Sequence, residues 1–98
     1  MSRKLTGKQV RYLRGLGHKL RPAVMVGKDE ITDTLVQSAH EALAIHELIK
    51  VKLQEGCIMD RKDVAKELSK NTESEVAQIL GKTILLYRKG EKPAIKLP

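Results

Sequence analysis

The stretch AVMVGKDEITDTLVQSAHEALAIHELIKVKL, residues 23–53, decides the fold. Ala23 to Val26 is a short, almost wholly apolar run and reads as a buried strand. Gly27-Lys-Asp-Glu30 is a loop. Thr32 offers a hydroxyl N-cap for a helix, with Ile31 and Val36 placed as a hydrophobic staple. Leu35, Val36, Ala39, Ala42 and Leu43 fall on one side of that helix, which is expected to run to about Ile45. From Leu48 to Leu53 the period changes to two. Ile49, Val51 and Leu53 face one way, Lys50 and Lys52 the other. Strand, helix and strand in this order predict parallel pairing in a sheet that helices cover.

Upstream, Thr6-Gly-Lys-Gln9 fits a capping box, and a helix is expected from Thr6 to about Leu16. At 100° per residue, Val10, Leu13, Leu16 and Leu20 share one side. Lys4, Lys8, Arg11 and Arg14 share the other. Gly15 weakens the last turn by about 1 kcal/mol relative to Ala, and Gly17 reads as a left-handed stop. Tyr12 falls at the edge of the apolar stripe, a core-rim position.

Downstream, Asp60 is placed to cap a third helix, with Val64, Ala65 and Leu68 inward and Asn71 as its stop. Val76–Leu80 and Thr83–Arg88 read as strands joined by the two-residue link Gly81-Lys82. After Lys89, Gly90, Pro93 and Pro98 suit either a short edge strand near Ile95 or a segment along the surface. The order α-β-α-β-α-β-β predicts an α/β chain: one compact domain over residues 1–98 with a four-stranded mixed sheet. Its core is expected at about residues 5–89, with a short tail at 90–98.

Ninety-eight residues with 41% apolar and 32% charged side chains suit a single globular domain. Trp and Phe are absent, and Tyr12 and Tyr87 are the only aromatics, so the core must be Leu, Ile, Val, Met and Ala. Cys57 is the only cysteine, which excludes an intramolecular disulfide. The expected compartment is the reducing cytoplasm. No apolar stretch follows the basic N-terminus, so a signal peptide is not expected, and no apolar run approaches a membrane span.

Charge is the strongest functional signal. Arg3, Lys4, Lys8, Arg11, Arg14, Lys19, Arg21 and Lys28 stand in the first 28 residues without one acid. The other 70 residues hold eleven basic side chains against all twelve acids, so the +7 surplus lies at the N-terminal end. A solvated helix usually mixes signs and gains a few tenths of a kcal/mol per i,i+4 pair. This one accepts like-charge repulsion, which an anionic partner would relieve. The Gly27-Lys28 loop, between a strand and a helix N-terminus, suits a phosphate. Lys50 and Lys52 read as the solvent side of a half-covered sheet. Lys82, Arg88 and Lys89 are candidates to extend a basic surface.

His18, His40, His46 and Cys57 lack metal-ligand spacing, and no nucleophile elbow, P-loop or dinucleotide fingerprint is present. Neither an enzyme nor a cofactor is expected. With two aromatics, any nucleic-acid contact should work through charge and backbone shape more than base stacking. Two other occupants of the basic face are conceivable: an acidic protein, with this chain as an adaptor, or an anionic membrane. The apolar stripe lacks Trp and Phe and is needed for packing on the sheet, which disfavours the membrane.

Several blocks together resemble the YhbY-like, CRM-domain RNA-binding proteins. They are Leu5-Thr-Gly-Lys-Gln9, Tyr12-Leu-Arg14, His18, Pro22, Val26-Gly-Lys28, His46-Glu-Leu-Ile-Lys-Val-Lys52 and Gly81-Lys-Thr-Ile-Leu-Leu-Tyr-Arg88. The resemblance implies a fold similar to the C-terminal domain of translation initiation factor three, with a KH-like loop. It also implies RNA binding and association with precursors of the large ribosomal subunit. On that basis Lys4, Lys8, Arg11, Arg14, Lys19, Arg21 and Lys28 are expected to meet phosphates, with the Gly27 loop setting register and the protein acting as a monomer. The family loop reads Gly-x-x-Gly, whereas Asp29 and Glu30 fill the last two positions here. A carboxylate about 4–6 Å from a phosphate repels it by up to about 1 kcal/mol in water-like dielectric. Binding is therefore expected to lean on the first helix.

Overall fold

The computed structural model describes residues 5–98; Arg3 and Lys4 fall outside them. The elements are α1 (Gly7–Gly17), β1 (Pro22–Val26), α2 (Asp33–His46), β2 (Leu48–Leu53), α3 (Arg61–Thr72), β3 (Glu75–Leu80) and β4 (Thr83–Tyr87). The sheet order is β1-β2-β4-β3. β1 runs parallel to β2, and the other two pairings are antiparallel. This is the expected mixed sheet with three helices.

Strand alternation divides the core in two. Val24, Val26, Ile49, Val51, Leu53, Ile84 and Leu86 meet Ala39 and Leu43 of α2 and Val64, Ala65 and Leu68 of α3. On the opposite face Leu48, Leu85, Tyr87 and Ala77 meet Leu13 of α1. Each fully buried Leu or Val contributes roughly 1.5–3 kcal/mol against leaving it in water. β1 is buried on one side only. It is an edge strand facing α2, so Val24 and Val26 point inward while Met25, on the other side, is 54% exposed. An apolar run alone does not say which strand lies at the edge.

The caps form as their side chains suggest. Thr6 Oγ1 accepts from Gln9 N at 3.1 Å, and Gln9 Oε1 accepts from Thr6 N at 3.1 Å, completing the capping box of α1. Thr32 and Asp60 cap α2 and α3 through the N–H groups of Leu35 and Lys62. Two helix ends differ from expectation. Gly17 is the last helical residue of α1, and the cap that follows, His18, is right-handed at φ −57. Its lack of a side chain serves packing: a Cβ there would lie 2.5 Å from Leu85 Cδ1. α3 passes Asn71 and ends on Glu73, left-handed at φ 54, with Ser74 N donating to Ser69 O at 2.9 Å in a Schellman pattern. Leu16 lies at the margin of the apolar stripe, 38% exposed.

Arg88 is structural, which removes it from the basic surface. It donates to Thr72 O at 2.9 Å and His40 O at 3.0 Å and also meets His40 Nδ1. It thereby satisfies carbonyls on α2 and α3 from the end of β4.

The tail does not pair as a strand. The Glu47 carboxylate, on a residue only 4% exposed, accepts from Gly90 N at 2.6 Å, Ala94 N at 2.8 Å and Ile95 N at 2.9 Å. Ile95 and Leu97 then pack against the Leu13–Tyr87 cluster, and Gln9 Nε2 donates to Pro98 O at 3.3 Å. Burial resists ionisation of Glu47, but the three N–H groups and the charge of Lys89 outweigh it and hold its pKa below the ordinary 4.5. Burial and the Glu47 charge push the Tyr87 phenol up.

Two stability measurements follow from this packing. Gly17→Ala should destabilise by about 1–3 kcal/mol through the clash with Leu85, despite its better helix propensity. Gly15→Ala, with nothing within 4 Å of the new methyl, should stabilise by up to about 1 kcal/mol. Urea midpoints of the two variants should therefore move in opposite directions.

The lowered pKa of Glu47 means that the folded state binds its proton less readily than the unfolded chain. Its stabilisation is present above pH 4.5 and lost as pH falls through the folded-state value. Urea melts across acid pH should show this loss, and Glu47→Gln should flatten it.

Candidate nucleic-acid interface

α1 holds three of the predicted basic residues, Lys8, Arg11 and Arg14, and all three are exposed. They are spaced three apart, so they line one face while Leu13 and Gly17 pack inward. Lys19 and Arg21, also exposed, continue the charge through the link into β1. Lys4 lies outside the described residues. The arrangement is locally unfavourable. Lys8 sits in the first turn, at the positive end of the helix dipole, where acids are preferred. That turn contains no acid, and i,i+3 like charges repel by a few tenths of a kcal/mol.

Gly27 and Lys28 lie elsewhere. Arg21 and Gly27 flank β1 from opposite ends, roughly 20 Å apart at strand rise. The two groups can share a ligand only if it is extended, such as a polynucleotide strand. Gly27 is not left-handed, and a Cβ there would meet Gln54 Oε1 at 2.9 Å, the mobile end of a side chain. The strained residue is Glu30, at φ 57, which closes the turn by donating its N–H to Gly27 O at 3.0 Å. Thus the position where the family pattern has its second glycine is left-handed here, and a glutamate occupies it. The β2–α3 loop is adjacent, since a Cβ on Gly56 would touch Lys28 Cβ at 3.5 Å.

Between α1 and these loops one row of the sheet is uncovered. The register aligns Met25, Lys52, Thr83 and Leu80 across all four strands. Met25 and Lys52 are exposed, Thr83 is half-buried, and Leu80 is 62% exposed. Lys50, half-buried, lies one row nearer α1, opposite Leu85. Lys50 and Lys52 therefore share the α1 side of the sheet. Their alternation was visible in the sequence, but which helix would cover that side was not. Tyr12, next to Arg11 in the chain, is 42% exposed.

Among the described residues, no group of three or more His, Cys, Asp or Glu could hold a metal ion. Among them, too, no helix is long and apolar enough to cross a membrane.

Comparison with known proteins gives one consistent result. The CRS1 / YhbY (CRM) domain matches residues 5–88. The chain is 43% identical over 95 residues to "Probable RNA-binding protein YqeI" of Bacillus subtilis, covering 96% of this chain and 99% of that protein. It is 34% identical over 94 residues to a Haemophilus influenzae protein named "RNA-binding protein", covering 96% and 95%. The solution structure of the hypothetical protein SAV1595 from Staphylococcus aureus superposes with a TM-score of 0.82 at 40% identity, over 97% of this chain and 100% of that one.

The loop geometry has a measurable consequence. Left-handed φ costs a non-glycine residue roughly 1 kcal/mol or more, part of which glycine returns through the greater freedom of the unfolded chain. Glu30→Gly should therefore stabilise by about 0.5–1 kcal/mol in urea denaturation, whereas Glu30→Ala, which keeps the strain, should not.

Proposed function

This chain belongs to the CRS1/YhbY (CRM) domain family, and on that premise we propose that it binds RNA through the outer face of α1 and acts on precursor RNA of the large ribosomal subunit. The observation that carries the proposal is the acid-free basic run of residues 3–28, whose described members on α1 and the link to β1 all face solvent. The similar proteins named for RNA binding support the choice of polyanion. Their names do not extend to the ribosome. The ribosomal part rests on the family resemblance, and the same proposal has the chain act in the cytoplasm as a monomer.

The mechanism is charge neutralisation. Lys8, Arg11, Arg14, Lys19 and Arg21 meet consecutive phosphates, and each contact releases condensed counterions. Lys52 and the open sheet row lie between α1 and the Gly27-Lys28 loop, so a strand leaving α1 can cross to that loop. Phosphate contacts set position and carry no sequence information. Discrimination among RNAs must then come from shape, from the spacing of the two basic features, or from the exposed ring of Tyr12.

Neutralising about five phosphates should make log K fall with log salt at a slope of about −4 to −5 on duplex-like RNA, and somewhat less on a single strand. The double variant Arg11→Glu/Arg14→Glu should flatten that slope and weaken all RNAs alike. A slope near zero in the parent protein would rule out the electrostatic mechanism. Sedimentation of the tagged protein in a native lysate tests the ribosomal part. Co-migration with large-subunit precursors, abolished by the double variant, is the expected result. Residence at the top of the gradient at low salt contradicts it, and a complex that survives RNase points to a protein partner.

A further inference from the structure

We propose that segment 89–98 forms a second part of the RNA-contact face, and that Glu47 is the residue that positions it. The inference rests on the RNA-binding reading above and adds a site to it. This segment has no helix or strand to fix it. Ordering backbone costs roughly 1–2 kcal/mol per residue, so something specific must offset that. The Glu47 carboxylate does so by gathering the N–H groups of Gly90, Ala94 and Ile95 around one buried charge. Gly90 allows this approach, since a Cβ there would stand 2.9 Å from Glu47 Oε2. Ile95 and Leu97 pack with Leu13, and Pro98 O meets the Gln9 side chain of α1.

The result places the tail against α1, on the same face of the sheet. Lys89, Lys92 and Lys96 of this segment are exposed, with Glu91 as the only acid among them. Lys96 stands between two residues that pack inward, so its backbone position is fixed while its ammonium group stays in water. A tail that only covered Leu13 and Tyr87 would need Ile95 and Leu97 but no lysines. The charge it brings has the same sign as α1, which raises the field on that face and suits a polyanion that follows both.

The test titrates an RNA hairpin against the full chain across a range of salt. Lys92→Ala/Lys96→Ala alters exposed positions and should leave the urea midpoint unchanged. It should lower affinity roughly tenfold at low salt and make the salt slope shallower by about one to two. Glu47→Gln should weaken binding in the parent but add little in the Lys92→Ala/Lys96→Ala variant, because its effect passes mainly through the two lysines it positions.

Unchanged affinity and slope in the lysine variant, with binding still lost in Arg11→Glu/Arg14→Glu, would reduce the tail to a packing element and overturn this inference alone. An equal loss from Glu47→Gln in both backgrounds would overturn the positioning role. If the parent chain binds no RNA, the proposed function itself fails, and this inference falls with it.

Discussion

The sheet has two apolar faces and three helices to cover them. α2 and α3 take one face and enclose the larger core. α1 is left with the other, where it must cover parts of β2, β3 and β4 with eleven residues. It can do so only by coming close. Gly17 lets it sit directly on Leu85, and Leu13 fills the centre. Even so the cover is incomplete. One flank is closed by the tail, which Glu47 holds in place, and the row from Met25 to Leu80 stays open. Both the polar outer face of α1 and the open row follow from this shortage of covering elements.

The same shortage explains why charge can concentrate on α1. A helix packed on both sides would leave no room for three basic side chains on one face. α1 touches the sheet through a narrow stripe, and the rest of its circumference is free for Lys8, Arg11 and Arg14. Their mutual repulsion and the helix dipole cost a few tenths of a kcal/mol each. The packing of Leu13 and its neighbours is worth several times that, so the fold tolerates the cost. Arg88, half-buried, shows another use of the same residue type. Its guanidinium is spent on carbonyls of two helices, as the cost of partly desolvating a charge favours.

Much of the fold was legible in the sequence because periodicity and capping are local. The period-two alternation of Leu48–Leu53 and the hydroxyls of Thr6 and Thr32 identify β2, α1 and α2 from adjacent residues alone. The contacts that were not legible join residues far apart in the chain. Nothing around Gly17 announces Leu85, so a glycine near a helix end read as a left-handed stop. Nothing around Glu47 announces Gly90, Ala94 and Ile95, so the tail could not be placed. Arg88 looked like any basic residue at a strand end. The α1 part of the candidate interface was visible, because an acid-free run needs no tertiary information. The lysines of β2 were seen, but assigning them to the α1 side required the sheet register.

Three non-glycine residues among those described have positive φ, and all are glutamates: Glu30, Glu47 and Glu73. At Glu73 the conformation ends α3 and lets Ser74 recover a helix carbonyl. At Glu47 it turns α2 into β2, and the side chain gains three hydrogen bonds that offset the strain. Glu30 has only the turn bond to Gly27 and a weak attraction to the nearby N-terminus of α2. It is therefore the least compensated of the three, and its carboxylate stands in the loop where a phosphate would approach. A loop built chiefly to hold an anion would have neither the strain nor the charge. If the chain binds RNA as proposed, the loop contributes little to affinity and marks the end of the path, while α1 carries most of the attraction. Relatives with glycine at this position should divide the work more evenly between the two.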